Sequence, residues 1–345
     1  MADNRSRTSA DFDSAVCMAL APFGTSIFTD ITALVRDCGA VNLSQGFPDV
    51  DGPLEIRELA AREILRGPNQ YAPPDGVPAF RHAVAAKMRR FYGVEVCPET
   101  EVTVTGGATE GLAATLLGLL NPGDEVVLIE PFYDLYPAMV CRAGAIPVYV
   151  PLRNNRLDAD DLATAFGPKT RAIVINNPQN PCGHVYSRAE LDAVADLCSQ
   201  YDAIAIGDEV YEHILFDGRT HTTLLAVQGL RERSVVVSST AKTFSMTGWK
   251  TGYAIASPRL TAAVRAAHQF IAYCIPGMFQ TAMAAGIAMP DNYYDKLKEM
   301  YGRRREMLCN ILSDAGLTVL PPEGTYYASV DISGQGFEDD LAFVR

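Results

Sequence analysis

The sequence has no surplus of basic residues. Its 29 Lys and Arg stand against 41 Asp and Glu, a formal net charge of −12. Nucleic acid, whose phosphates are neutralised by clustered Lys and Arg, is therefore not an expected partner. Paired cysteines are also missing. The eight cysteines, Cys17, Cys38, Cys97, Cys141, Cys182, Cys198, Cys274 and Cys309, are scattered singly. Without a CxxC spacing, neither a zinc site nor a dithiol redox centre is expected, and reduced thiols in a cytoplasmic protein are. No apolar run approaches the roughly 20 residues needed to span a bilayer; the best candidate is broken at Asn121-Pro122-Gly123-Asp124. The stretch from Met1 to Ser14 is polar and mixed in charge, so it reads as a mobile tail and not as a secretory signal. There is no internal repeat and no low-complexity segment. What remains is ordinary globular composition, 48% hydrophobic and 20% charged. At 345 residues the chain calls for two domains or one large α/β domain.

The first hundred residues predict helices over 26–38, 54–65 and 78–92. A short strand is expected at Val41-Asn42-Leu43, followed by the turn-forming Ser44-Gln45-Gly46-Phe47-Pro48-Asp49. Pro78 suits a first helical turn and Gly93 a helix end. From Glu101 the grammar changes. Strands over 102–105, 125–129, 147–150, 172–176, 203–207 and 234–238 alternate with helices over 109–120, 133–143, 159–166 and 188–201. Such alternation predicts a mainly parallel sheet with helices on both faces. After Pro258 the chain reads as helical to about Ala315, with strands near 318–320 and 326–331. This last region, with the N-terminal helices, predicts a smaller α+β domain.

Ligands of parallel sheets bind beyond the carboxyl ends of the strands, and the polar motifs fall there. Lys242 leaves the apolar Val235-Val236-Val237 through Ser238-Ser239-Thr240-Ala241, and Lys250 follows among Gly and Thr. A lysine amine so placed can bond to a carbonyl, and pyridoxal phosphate is the common biological aldehyde that uses one; a solvated loop lysine is the bland alternative. Thr105-Gly106-Gly107-Ala108-Thr109-Glu110 joins a strand to a helix, where free N–H groups favour a phosphate. A dinucleotide is disfavoured because the GxGxxG spacing is absent. Tyr133 stands where it could stack on a planar ring. In Asn177-Pro178-Gln179-Asn180-Pro181-Cys182-Gly183 the two prolines stiffen the backbone around Asn180, whose amide can donate to a phenolate-type oxygen. Asp208 ends the apolar Ile204-Ala205-Ile206-Gly207, where a lone carboxylate is costly unless paired. A pyridinium nitrogen would pair it; a helix cap is the alternative. Tyr211 could approach the same ring oxygen from that side.

Together these segments, with Asn42 to Asp49, Gln70-Tyr71, Thr247 to Tyr253 and Pro322-Glu323-Gly324-Thr325-Tyr326-Tyr327, resemble the class I and II aminotransferases of PLP fold type I. Within them the chain is most similar to the kynurenine/glutamine and methionine aminotransferases and the cysteine-S-conjugate β-lyases. The resemblance begins at about residue 25. It implies that Lys242 carries the cofactor as an aldimine and shuttles the proton, and that Asp208 keeps the pyridine nitrogen protonated. It also implies that Tyr211 and Asn180 contact the ring oxygen and that Tyr133 stacks on the ring. The phosphate would fall to Gly107, Ala108, Thr109, Ser239 and Lys250. Tyr71 would reach the cofactor of a neighbouring subunit, hence a homodimer, and Gly46 would lie over the substrate carboxylate. The family's carboxylate-clamping arginine belongs to a strand beyond Arg345, so either the small domain reads as incomplete or the substrate carboxylate is bound differently.

The implied division is residues 1–45 as an arm and part of the small domain, 46–285 as the cofactor-binding domain and 286–345 as the rest of the small domain. The expected reaction moves an amino group between an L-amino acid and a 2-oxo acid. A β- or γ-lyase or replacement enzyme on the same scaffold would use the same residues. A sensor module of a transcription regulator is disfavoured by the acidic charge and by the lack of a helix-turn-helix before residue 25. Phe23, Phe28, Phe47, Tyr273 and Phe279 suggest a hydrophobic substrate pocket, though core packing would explain them equally.

Overall fold

Period-two burial splits the central strands between two cores. The structure, a computed structural model, describes residues 16–24, 27–43 and 46–344, without the side chains of Ile27 and Phe28. The expected tail over 1–14, the Ser44-Gln45 step, the Phe28 ring and Arg345 lie outside the described residues. The elements are, in order, α1 (Ile27–Cys38), α2 (Leu54–Arg66), α3 (Pro78–Tyr92), β1 (Val102–Gly106) and α4 (Gly107–Leu119). Then come β2 (Glu125–Glu130), α5 (Leu135–Arg142), β3 (Ile146–Pro151), α6 (Ala159–Ala165), β4 (Thr170–Asn176), α7 (Arg188–Gln200), β5 (Ile204–Asp208) and β6 (Ser234–Ser239). The chain continues with β7 (Thr251–Ala256), α8 (Pro258–Ile271), α9 (Gly277–Ile287), α10 (Asp291–Asp314), β8 (Thr318–Leu320), β9 (Ser329–Asp331) and α11 (Asp340–Val344).

Seven strands form one sheet in the order β1-β7-β6-β5-β4-β2-β3. Successive residues of a strand face opposite ways. Val126, Leu128, Val174, Ile206, Val235 and Val237 accordingly join α4, α5 and α8 in one core, through Leu112, Val140 and Leu260. Val127, Ile129, Ile173, Ile175 and Val236 join α3, α6, α7 and α9 in the other, through Phe80, Leu162, Leu191 and Met283. Burial on both faces is why these strands read as unbroken apolar runs. The start of α7 is fixed by a capping box, Ser187 with Glu190.

The sheet differs from the expected one at β7, which was not foreseen. It runs antiparallel to both neighbours, β1 and β6. The register aligns Gly106 with Thr251, Ser239 with Gly252, and Asp208 with Asn176 and Val237. The carboxyl ends of β1, β4, β5 and β6 and the start of β7 therefore share one edge. Two other expectations fail. Residues 41–43 form no strand: Val41 and Leu43 are more than four-fifths exposed and pair with no neighbour in the sheet. The strand expected over 326–331 shortens to β9, because Gly324 and Thr325 instead bridge to the segment after β5.

That bridge ties the C-terminal segment down. Thr325 N–H donates to the Ile214 carbonyl at 3.0 Å, Phe216 N–H to the Glu323 carbonyl at 2.9 Å, and Glu323 and Gly324 N–H both to the Gly183 carbonyl at 2.9 Å. The Glu323 carboxylate accepts from Arg156 at 2.6 Å, from Val185 N–H at 3.1 Å and from Arg219.

Behind the shared edge lies a second buried polar cluster. Lys87 Nζ donates to Glu212 and, at 2.9 Å, to Tyr253 Oη; Ser238 Oγ donates to Glu212 at 2.7 Å and Tyr92 Oη to Glu212. Burial alone would lower the Lys87 pKa, but Glu212 and Tyr253 raise it above the ordinary lysine value. Burial likewise opposes the Glu212 charge, and Lys87, with His213 and His221 nearby, more than offsets it, leaving a lowered pKa. Removing one partner strands the other charge. Lys87→Met is expected to cost about 3–5 kcal/mol in urea unfolding, and Lys87→Met with Glu212→Leu markedly less; equal costs would show that the pair is not coupled.

Candidate active site

One cavity of about 240 Å³ opens at the shared edge. Its floor is β5, where the buried Asp208 accepts from Tyr136 Oη at 2.7 Å and from Val210 N–H at 3.4 Å. Asn176, at the end of β4, holds the strand end by donating to the Asp208 carbonyl at 2.9 Å. The same side chain accepts the Asn180 N–H at 2.6 Å, which places Asn180 at the cavity wall. Burial raises the Asp208 pKa from 3.8 to about 6, opposed by the Tyr136 and Val210 hydrogen bonds and by the charge of Lys242.

Lys242 enters from the loop after β6. Its Nζ donates to Tyr326 Oη at 2.7 Å and lies 5.6 Å from the centre of the Tyr211 ring. Burial, with repulsion from Lys250, lowers its pKa from 10.5 to about 8, against the pull of Asp208. A substantial neutral fraction near pH 8 is what a lysine needs to accept a proton.

The opposite wall is cationic and rich in donors. Gly107, Ala108 and Thr109 form the first turn of α4, which no side chain caps, and Lys250 Nζ donates to Thr109 Oγ1 at 3.3 Å. Unbonded N–H groups at a helix start, a lysine beside them and Ser239 on the same wall form a cradle for a phosphate. The approach of β7 to α4 requires Gly252, since a Cβ there would fall 2.5 Å from the Gly107 carbonyl carbon. Glu110 is engaged elsewhere, accepting from Gly106 N–H at 2.9 Å and sharing a 2.9 Å hydrogen bond with His268 Nδ1, so its charge does not enter the cradle.

The structure thus brings Gly46, Gly107, Ala108, Thr109, Tyr133, Asn180, Asp208, Tyr211, Ser239, Lys242 and Lys250 to one cavity. Tyr71 stands apart. It is 82% exposed and packs edge-on against Tyr273 at 5.4 Å. Phe23, Phe47 and Phe279 do not line the cavity either, and Phe279 stacks on Trp249. Tyr136 and Tyr326, which bond the two central ionisable groups, were not singled out as site residues from the sequence. Tyr136 sits among apolar helix positions, and Tyr326 is one of two adjacent tyrosines in Pro322 to Tyr327, with no local signal that its hydroxyl meets a lysine. Among the described residues no arginine lines the cavity.

The profile described as aminotransferase class I and II matches residues 39–345. This chain belongs to the class I and II aminotransferases. It is 44% identical over 94% of its length to a probable N-succinyldiaminopimelate aminotransferase of Mycobacterium tuberculosis, covering 83% of that protein. It is 39% identical over 94% of its length to the methionine aminotransferase of Escherichia coli, covering 85% of it. A solved structure of the Mycobacterium tuberculosis N-succinyldiaminopimelate aminotransferase superposes with a TM-score of 0.93 over 95% of this chain and 87% of that one. The fold is PLP fold type I. The aminotransferase uses pyridoxal phosphate and acts on an amino acid and a 2-oxo acid. The cavity fits that cofactor: a phosphate cradle, a buried carboxylate without a cation bonded to it, and a lysine with a lowered pKa surround it.

Asp208 has a folded pKa above its unfolded value, so its contribution to stability is present below pH 4 and is lost as pH rises through about 6. In the cofactor-free aminotransferase, Asp208→Asn should therefore be more stable than wild type at pH 7, by about 2–3 kcal/mol in urea unfolding. The difference should vanish near pH 4; a less stable variant at pH 7 would contradict the electrostatic reading.

Proposed function

We propose that this aminotransferase works with Lys242 as the lysine that holds pyridoxal phosphate covalently and then moves the substrate's α-proton. The observation that carries the reading is the position of Lys242 Nζ, buried, lowered in pKa and in one cavity with Asp208 and the phosphate cradle. The bound cofactor supplies an electron-poor ring that accepts the electron pair left by the departing proton. Asp208 would hold the protonated ring nitrogen, and Tyr136 keeps Asp208 ionised by donating to it. Tyr211 and Asn180 would bind the ring oxygen, Tyr133 the ring face, and Gly107, Ala108, Thr109, Ser239 and Lys250 the phosphate. Gly46 and Asn180 would meet the substrate carboxylate. Once free, Lys242 Nζ would take the substrate's α-proton and return it, the lowered pKa leaving it neutral enough to do so.

We also propose a homodimer in which Tyr71 completes the partner's site. An 82% exposed tyrosine that packs on the half-exposed Tyr273 fits a contact surface between subunits. The division into a cofactor-binding domain over 46–285 and a smaller unit from 1–45 and 286–345 fits the seven-stranded sheet, which lies within 102–256, and the separate β8-β9 pair. A cytoplasmic location fits the eight free cysteines. No helix among the described residues is long and apolar enough to cross a membrane.

Incubation with a panel of amino acids and 2-oxo acids, including N-succinyldiaminopimelate, methionine and kynurenine, should convert the 2-oxo acid to an amino acid without release of ammonia. Ammonia in place of a second amino acid would instead mark a lyase. Lys242→Ala should lose turnover and the cofactor's visible absorption band; retention of that band would refute the assignment of Lys242. For the dimer, Tyr71→Ala and Lys242→Ala should each be impaired, and a mixture of the two refolded together should regain activity that neither has alone. A mixture no more active than its parts would remove Tyr71 from the partner's site.

A further inference from the structure

Tyr326 has a single proton to give, and the structure shows where it goes. Its Oη donates to the Gly46 carbonyl at 2.9 Å. The same oxygen must then accept, and the group that donates to it is Lys242 Nζ at 2.7 Å. Its ring packs against Tyr211 at 5.3 Å, Tyr301 at 5.8 Å and Tyr327 at 5.0 Å. The direction of the hydroxyl is thus set from two sides. Gly46 has no room to be anything larger, since a Cβ there would fall 2.6 Å or less from the Tyr326 and Tyr327 rings. The backbone that orients the hydroxyl is thereby pressed onto the ring that carries it.

We propose that Tyr326 is a positioning residue for Lys242: its hydroxyl, committed as a donor to the Gly46 carbonyl, can only accept from Lys242 Nζ, and so turns the amine's lone pair away from Tyr326 and towards the cavity. A phenylalanine would keep the packing and leave the amine free to rotate. A hydroxyl without the Gly46 partner could donate to the amine and occupy the lone pair that must take the proton. The fixed donor–acceptor order separates an aimed base from a blocked one. The inference rests on the assignment of Lys242 above and adds a role for a residue that makes no part of that assignment.

The charged groups facing Lys242 are Asp208 at the end of β5, which favours the ammonium, and Lys250 before β7, which disfavours it. The neighbouring phenols of Tyr133, Tyr136, Tyr211 and Tyr327 are held neutral by burial. Removing the Tyr326 hydroxyl leaves both charged groups in place and takes a hydrogen-bond neighbour from Tyr211 and Tyr327, which burial still holds neutral. For Lys242 it takes away an acceptor that stabilises the ammonium, so the lysine's midpoint should fall.

The test uses the full chain stripped of cofactor, labelled with acetic anhydride across a pH series, with acetylation of Lys242 followed by peptide mass spectrometry. Tyr326→Phe should lower the Lys242 midpoint by about one pH unit, the effect of losing one hydrogen bond to a charged group. At pH 10, where the amine is neutral in both proteins, recapture of pyridoxal phosphate, followed by absorbance, should slow about five- to tenfold. Tyr301→Phe, which removes a hydroxyl from the same aromatic cluster, should change neither. Should Tyr326→Phe fold poorly, a fluorinated tyrosine at 326, a weaker acceptor of the same shape, should move the midpoint in the same direction by less. An unshifted midpoint overturns the inference, and so does an equal shift in Tyr301→Phe. Neither result touches the assignment of Lys242, which the absorption band of Lys242→Ala tests separately.

Discussion

A carboxylate closed off from water at the end of a core strand is the constraint on which the site depends. Asp208 ends the apolar run of β5, in register with Asn176 and Val237, and ionising it there is costly. Tyr136 and the Val210 N–H offset part of that cost. The remainder is a standing demand for a cation above the β5 end. The same burial acts in the opposite sense on Lys242, so one cavity produces a carboxylate that wants a positive partner and an amine that sheds its proton readily. The phosphate cradle lies on the far wall, where Lys250 adds positive charge. Three charge preferences are therefore laid out around one space, and the sheet edge fixes their order.

Much of this was legible in the sequence because polar residues interrupt buried runs at strand ends. Asp208 after Ile204-Ala205-Ile206-Gly207 and the Ser238-Ser239 step after three valines mark the edge without any knowledge of the sheet order. The glycines of 105–111 and the prolines of 177–183 mark the turns between strand and helix in the same way. The alternating grammar after residue 101 gave the layer arrangement, and the two cores follow it.

The rest depends on contacts that local pattern does not carry. β7 has the length and composition of any buried strand, but its reversed direction is a matter of which strands it joins. Tyr136 occupies a position that reads as one more apolar helix residue; only its hydroxyl, meeting a strand 72 residues away, gives it a role. Tyr326 lies 84 residues from Lys242, and a tyrosine in a motif does not announce its partner. The short strand expected at 41–43 failed for the converse reason: β-rich residues form a strand only where a sheet takes them up, and among the described residues no sheet includes these three.

The antiparallel entry of β7 has a bearing on how the protein tolerates change. Because β6 ends and β7 begins at the same edge, the chain from 240 to 250 never leaves it, and both lysines ride on a single hairpin clamped at its two ends. Lengthening that hairpin would move the two amines relative to the helix start they face. The turns that feed β2 to β6, such as Asn121 to Asp124 and Gly167 to Lys169, lie on the other side of the sheet. They are free to drift in length, so natural variants of this scaffold should keep the 240–250 span constant while their opposite rim diversifies.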